Sequence, residues 1–357
     1  MRWEITREFP IEAILVRVRF NITGSTSTFV NSAPWELFKR ITVTVADGAR
    51  TRNVVDITGW GLAEYVQQIC GTLPACNGMA SFGQASTASC YEFTFPIFFA
   101  LPNLSDPISS CLLLPAPRYN SNIILQLTTC DAMTAVVNAG TVSFTVTPHV
   151  IRRDVRDPNW NYLDAELTEL KLPNLAFASA NQMFELQIPG SYTGILLRGY
   201  NDIVTGLAAG NGINGRGDPS SDKLNSDVTM KVGEYSLRLL GNVIRRFTWS
   251  SLAAQNEMSL TEPGYSAYAS CPWAYPSVHC RTGLTPAVYM DFLNDKFGQE
   301  ADHLGSVLDT NPLMATGARS QLYADNNAAA GNQYMNLVSH RIFGDLSSFK
   351  PSAATAA

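Results

Sequence analysis

The stretch from Val142 to Val155 reads Val-Ser-Phe-Thr-Val-Thr-Pro-His-Val-Ile-Arg-Arg-Asp-Val, and it decides how the rest of the chain is interpreted. Its first residues alternate between apolar and small polar side chains, and this period of two predicts a half-buried β-strand. The pattern His-x-Ile-x-x-Asp follows at His149 and recurs at His340, again after an apolar segment. The sequence therefore indicates two units that end in the same way.

Other landmarks recur in the same order, as a tandem repeat requires. Trp60 and Trp249 are each followed by a Leu-Ala pair, and each is preceded by an alternating segment and then an apolar pair. The offsets between matching landmarks run from about 187 to 194 residues, a drift that loops of different length produce. A period of this length indicates two domains in tandem.

The predicted elements are short strands separated by proline and glycine turns. In the first domain the strands lie near residues 11–20, 41–45 with a turn at 46–48, 93–101, 123–128 and 142–146. In the second they lie near 182–187, 193–198, 228–232, 235–240, 288–293, 320–323 and 334–338. Helices are predicted over 60–69 and from about 249 to 258, and a long surface loop over 70–90.

This content predicts an all-β fold of two tandem eight-stranded jelly rolls (β-sandwiches), each with a short helix in a loop. We place the first jelly roll at residues 1–160, the second at 161–346 and a flexible C-terminal tail at 347–357. The connection between the two domains is expected between about residues 156 and 168.

The composition favours contact with other proteins. Charged residues make up 15% of the chain against the usual quarter, and 19 Arg stand against 6 Lys. Arg is favoured at protein interfaces, although genome base composition produces the same bias. The net charge of -5 and the lack of a basic stripe argue against sequence-specific nucleic-acid binding.

Cofactor, metal and disulfide chemistry are not predicted. The seven cysteines contain no C-x-x-C pair, and the spacing of Cys271, His279 and Cys280 matches no zinc pattern. The N-terminus carries charges where a secretory signal needs an apolar run, and no stretch reaches about 18 apolar residues. A soluble protein made in a cytoplasm is expected.

One glycine-rich segment contains two short motifs. Residues 210–215 match the dinucleotide fingerprint G-x-G-x-x-G, but no helix can open after them, so a flexible loop is the preferred interpretation. Arg216, Gly217 and Asp218 form the tripeptide that some integrins read on exposed turns. A chance match is the simpler interpretation, and an exposed recognition loop is the alternative.

No catalytic constellation is evident, and we expect no enzyme activity. The acidic pairs are explained by solvated faces, and neither a nucleophile elbow nor a phosphate loop occurs. We interpret Trp60, Trp249, His149 and His340 as structural residues of the repeat. The two tryptophans are expected to pin helices to sheets, and the two histidines to bond into the turn just beyond the last strand, with Asp154 or Asp345 as partners.

The chain resembles the double jelly-roll major capsid proteins of tailless icosahedral viruses, most closely those of bacteriophages with an internal membrane. The likeness rests on the helix starts at Trp60 and Trp249, the run from Leu112 to Leu127, and the endings at His149 and His340. It covers nearly the whole chain, from about residue 7 to 346.

The resemblance implies a homotrimer that forms a pseudo-hexagonal tile of an icosahedral shell around an internal membrane and genome. Its partners would be further copies of itself, vertex proteins and the internal lipid membrane. Its location would be the virion, and the host cytoplasm during assembly. The alternative is a tandem jelly-roll carbohydrate-binding or adhesin protein, with Trp160, Tyr162, Trp273 and Tyr275 as candidate exposed aromatics. An enzyme on the same sandwich is third.

Overall fold

The computed structural model describes the parts of the chain that form its sheets. These are residues 1–23, 27–28, 37–70, 76–77, 85–86, 89–99, 113–130, 141–154, 164–171, 182–186, 190–201, 232–239, 242–248, 251–252, 287–292, 308–309, 320–326 and 333–343. We call residues 1–160 the first half and residues 161–346 the second half.

The first half contains ten strands and a helix among its described residues. They are β1 (Arg2–Ile5), β2 (Ile11–Thr23), β3 (Ser27–Thr28), β4 (Phe38–Asp47), β5 (Arg50–Ile57), α1 (Gly59–Cys70), β6 (Cys76–Asn77), β7 (Ala85–Ser86), β8 (Ser89–Phe98), β9 (Ile123–Thr129) and β10 (Thr141–Arg152). A single 3-10 turn covers Ala116–Arg118.

The described residues of the second half contain nine strands. They are β11 (Asp164–Lys171), β12 (Gln182–Leu186), β13 (Ser191–Asn201), β14 (Val232–Leu239), β15 (Asn242–Phe247), β16 (Ala287–Asp291), β17 (Leu308–Asp309), β18 (Ser320–Asn326) and β19 (Gln333–Phe343). Residues 251 and 252 are helical and follow β15 as α1 follows β5.

Side-chain alternation explains why the central strands form. In β2, Val16, Val18 and Phe20 are fully buried, while Arg17 and Arg19 between them are exposed. The hairpin between β4 and β5 turns at Gly48, whose φ of 58° is a left-handed conformation that glycine adopts without strain. The predicted strand pattern and the predicted turn are confirmed at these places.

Two four-stranded sheets form the sandwich of the first half. One has the order β1-β9-β4-β5 and the other the order β10-β2-β8-β6. Aromatic rings pack between them: the rings of Phe38 on β4 and Phe95 on β8 meet edge to face at 5.2 Å between centroids. Burying the two inner faces against each other removes a continuous apolar core from water.

The second half repeats this strand order. Its sheet β12-β18-β14-β15 matches β1-β9-β4-β5 position by position, and β19-β13-β16 matches β10-β2-β8. The short β17 adds to the end of β13. Each half is thus an eight-stranded jelly roll within the described residues, and the predicted fold class is confirmed.

One strand joins the two sandwiches. Strand β11 pairs in parallel with β5 of the first half and antiparallel with β19 of the second. The result is a single sheet with the order β1-β9-β4-β5-β11-β19-β13-β16. Leu167 on β11 is buried in the same cluster as Val55 on β5, so the core continues from one half into the other.

Several sequence predictions need correction. Strand β11 begins at Asp164, inside the predicted connection, because its charged residues have partners there and do not face water. The N-terminal residues form β1, which pairs with β9. The predicted loop over 70–90 contains the short strands β6 and β7 and the start of β8. The predicted strand at 228–232 enters the described residues only at Val232, where β14 begins.

The helix starts of the two halves are capped alike. Gly61 N donates to Thr58 Oγ1 at 3.0 Å, and Ser251 N donates to Thr248 Oγ1 at 3.1 Å. Each threonine is therefore an N-cap. The two caps are 190 residues apart. This offset aligns Trp60 with Ser250, so the correspondence between Trp60 and Trp249 shifts by one residue. Trp249 itself lies outside the described residues.

Truncation of Trp60 tests its role in the core. Its side chain is 3% exposed and its Nε1 donates to Glu64 Oε1 at 2.8 Å. Trp60→Ala should lower the free energy of unfolding by about 3–5 kcal/mol, because the cavity cannot fully collapse. Phe9→Ala, at a ring that is 42% exposed, is the matched control and should change it by no more than about 0.5 kcal/mol in denaturant titrations. Equal effects of the two changes would contradict this assignment.

Candidate functional site: the junction between the two halves

Helix α1 lies between the two halves. Residues 59–66 are all buried, whereas a surface helix normally exposes one face to water. The cluster that buries Trp60 and Leu62 includes residues of both halves, among them Leu196 of β13 and Val338 of β19. The helix therefore covers the outer face of the sheet β19-β13-β16.

The N-terminus of α1 meets β11 through Glu169. Its carboxylate oxygen Oε2 accepts from Thr58 N at 2.8 Å and from Thr58 Oγ1 at 2.7 Å. Asn336 Nδ2 donates to the other oxygen of the same carboxylate. The first turn of α1 has no acidic residue of its own, so Glu169 supplies the negative charge that a helix N-terminus favours. A Cβ at Gly61 would stand 2.5 Å from Glu169 Oε2, which explains the glycine there.

The middle of α1 presents Tyr65 to the second half. The Tyr65 ring stacks on His340 with centroids 5.9 Å apart and meets Tyr289 edge to face at 6.2 Å. Tyr289 lies over Gly194, where a Cβ would stand 2.0 Å from the tyrosine hydroxyl. The absence of a side chain at Gly194 thus makes room for Tyr289 under the helix.

His340 is held neutral in this contact. Burial is the main cause and the neighbouring Arg341 the second, and together they lower the pKa of His340 from 6.5 to about 4. Thr193 Oγ1 shares a hydrogen bond with Nδ1 of the ring and lies 3.3 Å from the His340 carbonyl oxygen. The imidazole therefore acts as a packed and hydrogen-bonded ring.

The opposite face of β11 carries an ion-pair cluster. Glu166 Oε2 accepts from Arg341 Nη2 at 2.9 Å, and its Oε1 accepts from Arg52 Nη1 at 2.5 Å. Arg52 also pairs with Asp164, whose Oδ1 accepts from the Tyr119 hydroxyl at 3.2 Å. Since Arg52 belongs to β5 and Arg341 to β19, Glu166 connects both neighbours of its strand.

Burial makes this cluster sensitive to truncation. Arg341 is 1% exposed, and desolvation lowers its pKa while Tyr192 and Glu166 counteract the shift. The guanidinium of Arg341 also lies 6.0 Å from the centroid of the Tyr192 ring. Burial likewise raises the pKa of Tyr119, so its phenol stays protonated as a donor. A charge without its partner here would be costly.

The sheet of the first half has an outer face that remains accessible. On β10, Thr145, Thr147 and His149 are exposed, and so are Arg17 and Arg19 on β2. We call this surface, with Leu15, Glu92 and Thr94, the outer face of the first sheet. It is the counterpart of the face that α1 covers in the second half.

The predicted site residues occupy different environments. Trp60 and His340 lie at the junction, whereas His149 is exposed on β10. The prediction that both histidines lie beyond the last strand is wrong: β10 and β19 continue past them. Pro148 does not end β10 because that strand is at the edge of its sheet within the described part of the chain.

Other predicted residues cannot be placed. Arg216, Gly217 and Asp218, together with Trp249 and Asp345, lie outside the described residues. The same holds for the four aromatic residues at positions 160, 162, 273 and 275.

Sequence reasoning missed Glu169, Glu166, Arg52 and Arg341 as junction residues. Thr58 was the available signal for the first of these, since an N-cap directly before Gly-Trp-Gly marks the helix start that Glu169 approaches. Nothing local marks the other three, because their partners are more than 100 residues away in the chain.

The described residues contain no group of three or more potential metal ligands. Among the same residues, no helix is long and apolar enough to cross a membrane.

Comparison with known proteins shows which fold this is. No protein-family model matches the chain, and no curated protein matches its sequence. The STIV MCP superposes with a TM-score of 0.60 at 16% identity, covering 98% of this chain and 93% of that chain. A chain from the atomic structure of Sulfolobus Turreted Icosahedral Virus gives 0.59 at 17% identity, covering 96% and 85%. A chain of the PBCV-1 virus capsid gives 0.51 at 12% identity, covering 96% and 88%.

The chain therefore has the fold of double jelly-roll viral capsid proteins. The likeness extends over both halves and the junction between them. The resemblance inferred from the sequence is confirmed at the level of fold.

Acid should destabilise the protein partly through His340. Its pKa is about 4 in the folded state and near 6.5 when unfolded, so between these values the unfolded state binds more protons. This contribution to stability is complete above pH 6.5 and is lost as the pH falls toward 4. Between those pH values wild type should lose about 3 kcal/mol more than His340→Gln in denaturant titrations. His149→Gln, at an exposed ring, should retain the wild-type slope. An unchanged slope in His340→Gln would contradict the assignment.

Removal of Glu166 should destabilise the junction. Glu166→Ala leaves Arg341 buried without its carboxylate, and the free energy of unfolding should fall by about 3–5 kcal/mol. Glu92→Ala breaks an Arg–Glu pair on an exposed face, where Arg17 Nη2 lies 2.5 Å from Glu92 Oε2, and it should have little effect. Denaturant titrations of the two variants measure the difference, and similar losses would show that burial does not matter at this site.

Proposed function

We propose that this chain is a major capsid protein that assembles as a homotrimer. The observation that carries the proposal is the repeated sandwich: two halves with the same strand order are fixed to each other by β11. Three such chains present six similar sandwiches around a threefold axis, and a pseudo-hexagonal tile of this kind can pave a closed shell. The fold shared with STIV and PBCV-1 capsid chains supports this role.

The shell we propose is icosahedral and encloses an internal membrane and the genome. Its further partners are neighbouring trimers, vertex proteins and the internal membrane, and its location is the virion after assembly in the host cytoplasm. The low content of charged residues and the excess of Arg over Lys support wide contact between protein surfaces. We infer a structural role without enzymatic activity or a cofactor.

We also propose that residues 1–160 and 161–346 are the two domains of each chain, followed by a flexible tail at 347–357. The separate sandwiches support two domains, while the shared sheet and the buried helix α1 support a fixed orientation between them. A fixed orientation favours assembly because no entropy of ordering the halves is lost when a tile forms.

Measurement of the assembly state tests the capsid role. The purified protein should sediment as a trimer of about 117 kDa, three times 38.9 kDa, and should remain trimeric on dilution. Trimer interfaces of this class should bury more than about 2,000 Å². Electron micrographs at high concentration should show hexagonal arrays. A stable monomer that binds a glycan and never forms arrays would falsify the capsid function and favour the carbohydrate-binding alternative.

A further inference from the structure

Each half contains a sheet with an outer face and a helix that can cover one. Within the chain this contact is made once, where α1 of the first half covers β19-β13-β16 of the second. The outer face of the first sheet is left accessible. The strand orders of the two sheets are the same, so the two faces can be compared residue by residue.

The register of the two sheets relates the covered face to the accessible one. In the second half, Val338, Leu196 and Tyr289 are paired neighbours across β19, β13 and β16, and they are 1%, 0% and 6% exposed. When His340 is aligned with His149, the corresponding row in the first half is Thr147, Arg17 and Thr94. Thr147 and Arg17 are exposed, so the position that α1 occupies in the second half is vacant in the first.

The helix start of the second half shows the complementary vacancy. Leu252 N bonds to the Thr248 carbonyl oxygen just as Leu62 N bonds to that of Thr58, and both leucines are buried. Gly61, one residue before Leu62, is buried against Glu169 of the other half. Its counterpart Ser251 is exposed. The side of this helix start that would face another sheet is therefore open.

We propose that these two vacant surfaces bind each other between copies of the chain. The outer face of the first sheet, centred on Thr147 and Arg17, receives the helix start at Thr248–Leu252 of a neighbouring copy. This inference rests on the proposed trimer and identifies its interface. Each copy contributes a sheet face on one side and a helix on the other, so the contact is heterologous and closes only as a ring.

The chemistry of the two surfaces differs from that of the junction inside the chain. Leu196 and Val338 are replaced by Arg17 and Thr147, and Arg17 already pairs with Glu92. A contact on this face is more polar, and it offers positive charge and hydroxyl groups where the junction offers aliphatic side chains. Contacts between copies should therefore weaken as the salt concentration rises, while the junction within each chain stays intact.

Single arginine substitutions test each surface. Thr147→Arg and Ser251→Arg each place a bulky charge on one vacant surface, and each should reduce the mass in sedimentation from about 117 kDa to about 39 kDa. Two controls match them. Gln126→Arg adds the same group to an exposed position on β9, and Ser251→Ala removes the serine hydroxyl without adding bulk. Both controls should remain trimeric, and thermal melting should show that all variants are folded. Thr145→Arg, on the same face as Thr147, replaces Thr147→Arg if that variant fails to fold.

Mixing the two arginine variants gives the sharper result. A Thr147→Arg chain keeps an intact helix start, and a Ser251→Arg chain keeps an intact sheet face, so the pair has one unaltered interface. The mixture should form a dimer of about 78 kDa, twice 38.9 kDa, although each variant alone is monomeric. An interface made of the same patch on both copies could not be restored in this way.

The possible failures are distinguishable. If the variants remain trimeric, the trimer stands but its interface lies elsewhere, and the pairing proposed here is overturned. If each variant is monomeric but the mixture forms no dimer, the two surfaces do not bind each other. If wild type is itself monomeric at all concentrations, the proposed trimer fails and the pairing fails with it.

Discussion

The pairing of β11 with both of its neighbours is the constraint on which the structure depends. The strand lies parallel to β5 and antiparallel to β19, so hydrogen bonds run without interruption from one sandwich to the other. A hinge at this point would have to break part of that ladder, and buried backbone groups cannot be left without partners at small cost. The two halves therefore keep one orientation, and α1 can be buried on all sides between them.

The buried charges on β11 fix the register of this pairing. A slip of one residue would turn Glu166 and Asp164 away from Arg52 and Arg341 and direct them toward the apolar cluster that holds Leu167. Burying ion pairs adds little net stability by itself, because desolvation offsets the attraction. Their contribution is selective: alternative registers lose the attraction and keep the desolvation cost.

The sequence predicted most of the repeated strands but not the contact between the halves. Strands β2, β4, β9 and β10 follow a period of two, and each has one apolar face that a local pattern reveals. Strand β11 reads Asp-Ala-Glu-Leu-Thr-Glu-Leu-Lys, and its charged residues suggest a solvated segment unless their partners are known. Those partners lie on β5 and β19, so only the tertiary structure identifies them. The repeated motif at His149 and His340 likewise predicts equal positions in two strands, but it does not predict that one ring is exposed and the other covered.

The position of β19 in the shared sheet also governs how the chain can fold. This strand is made near the end of synthesis, yet it lies between β11 and β13, and its partners on β11 are more than 160 residues earlier in sequence. Until it is in place, β11 has only the two-residue parallel contact with β5, and the edges of β11 and β13 are unpaired. Contacts this distant in sequence form slowly because loop closure precedes them, and open strand edges favour aggregation meanwhile. The nascent chain is thus most vulnerable in the interval before its last strand inserts, which makes chaperone protection most valuable for the second half.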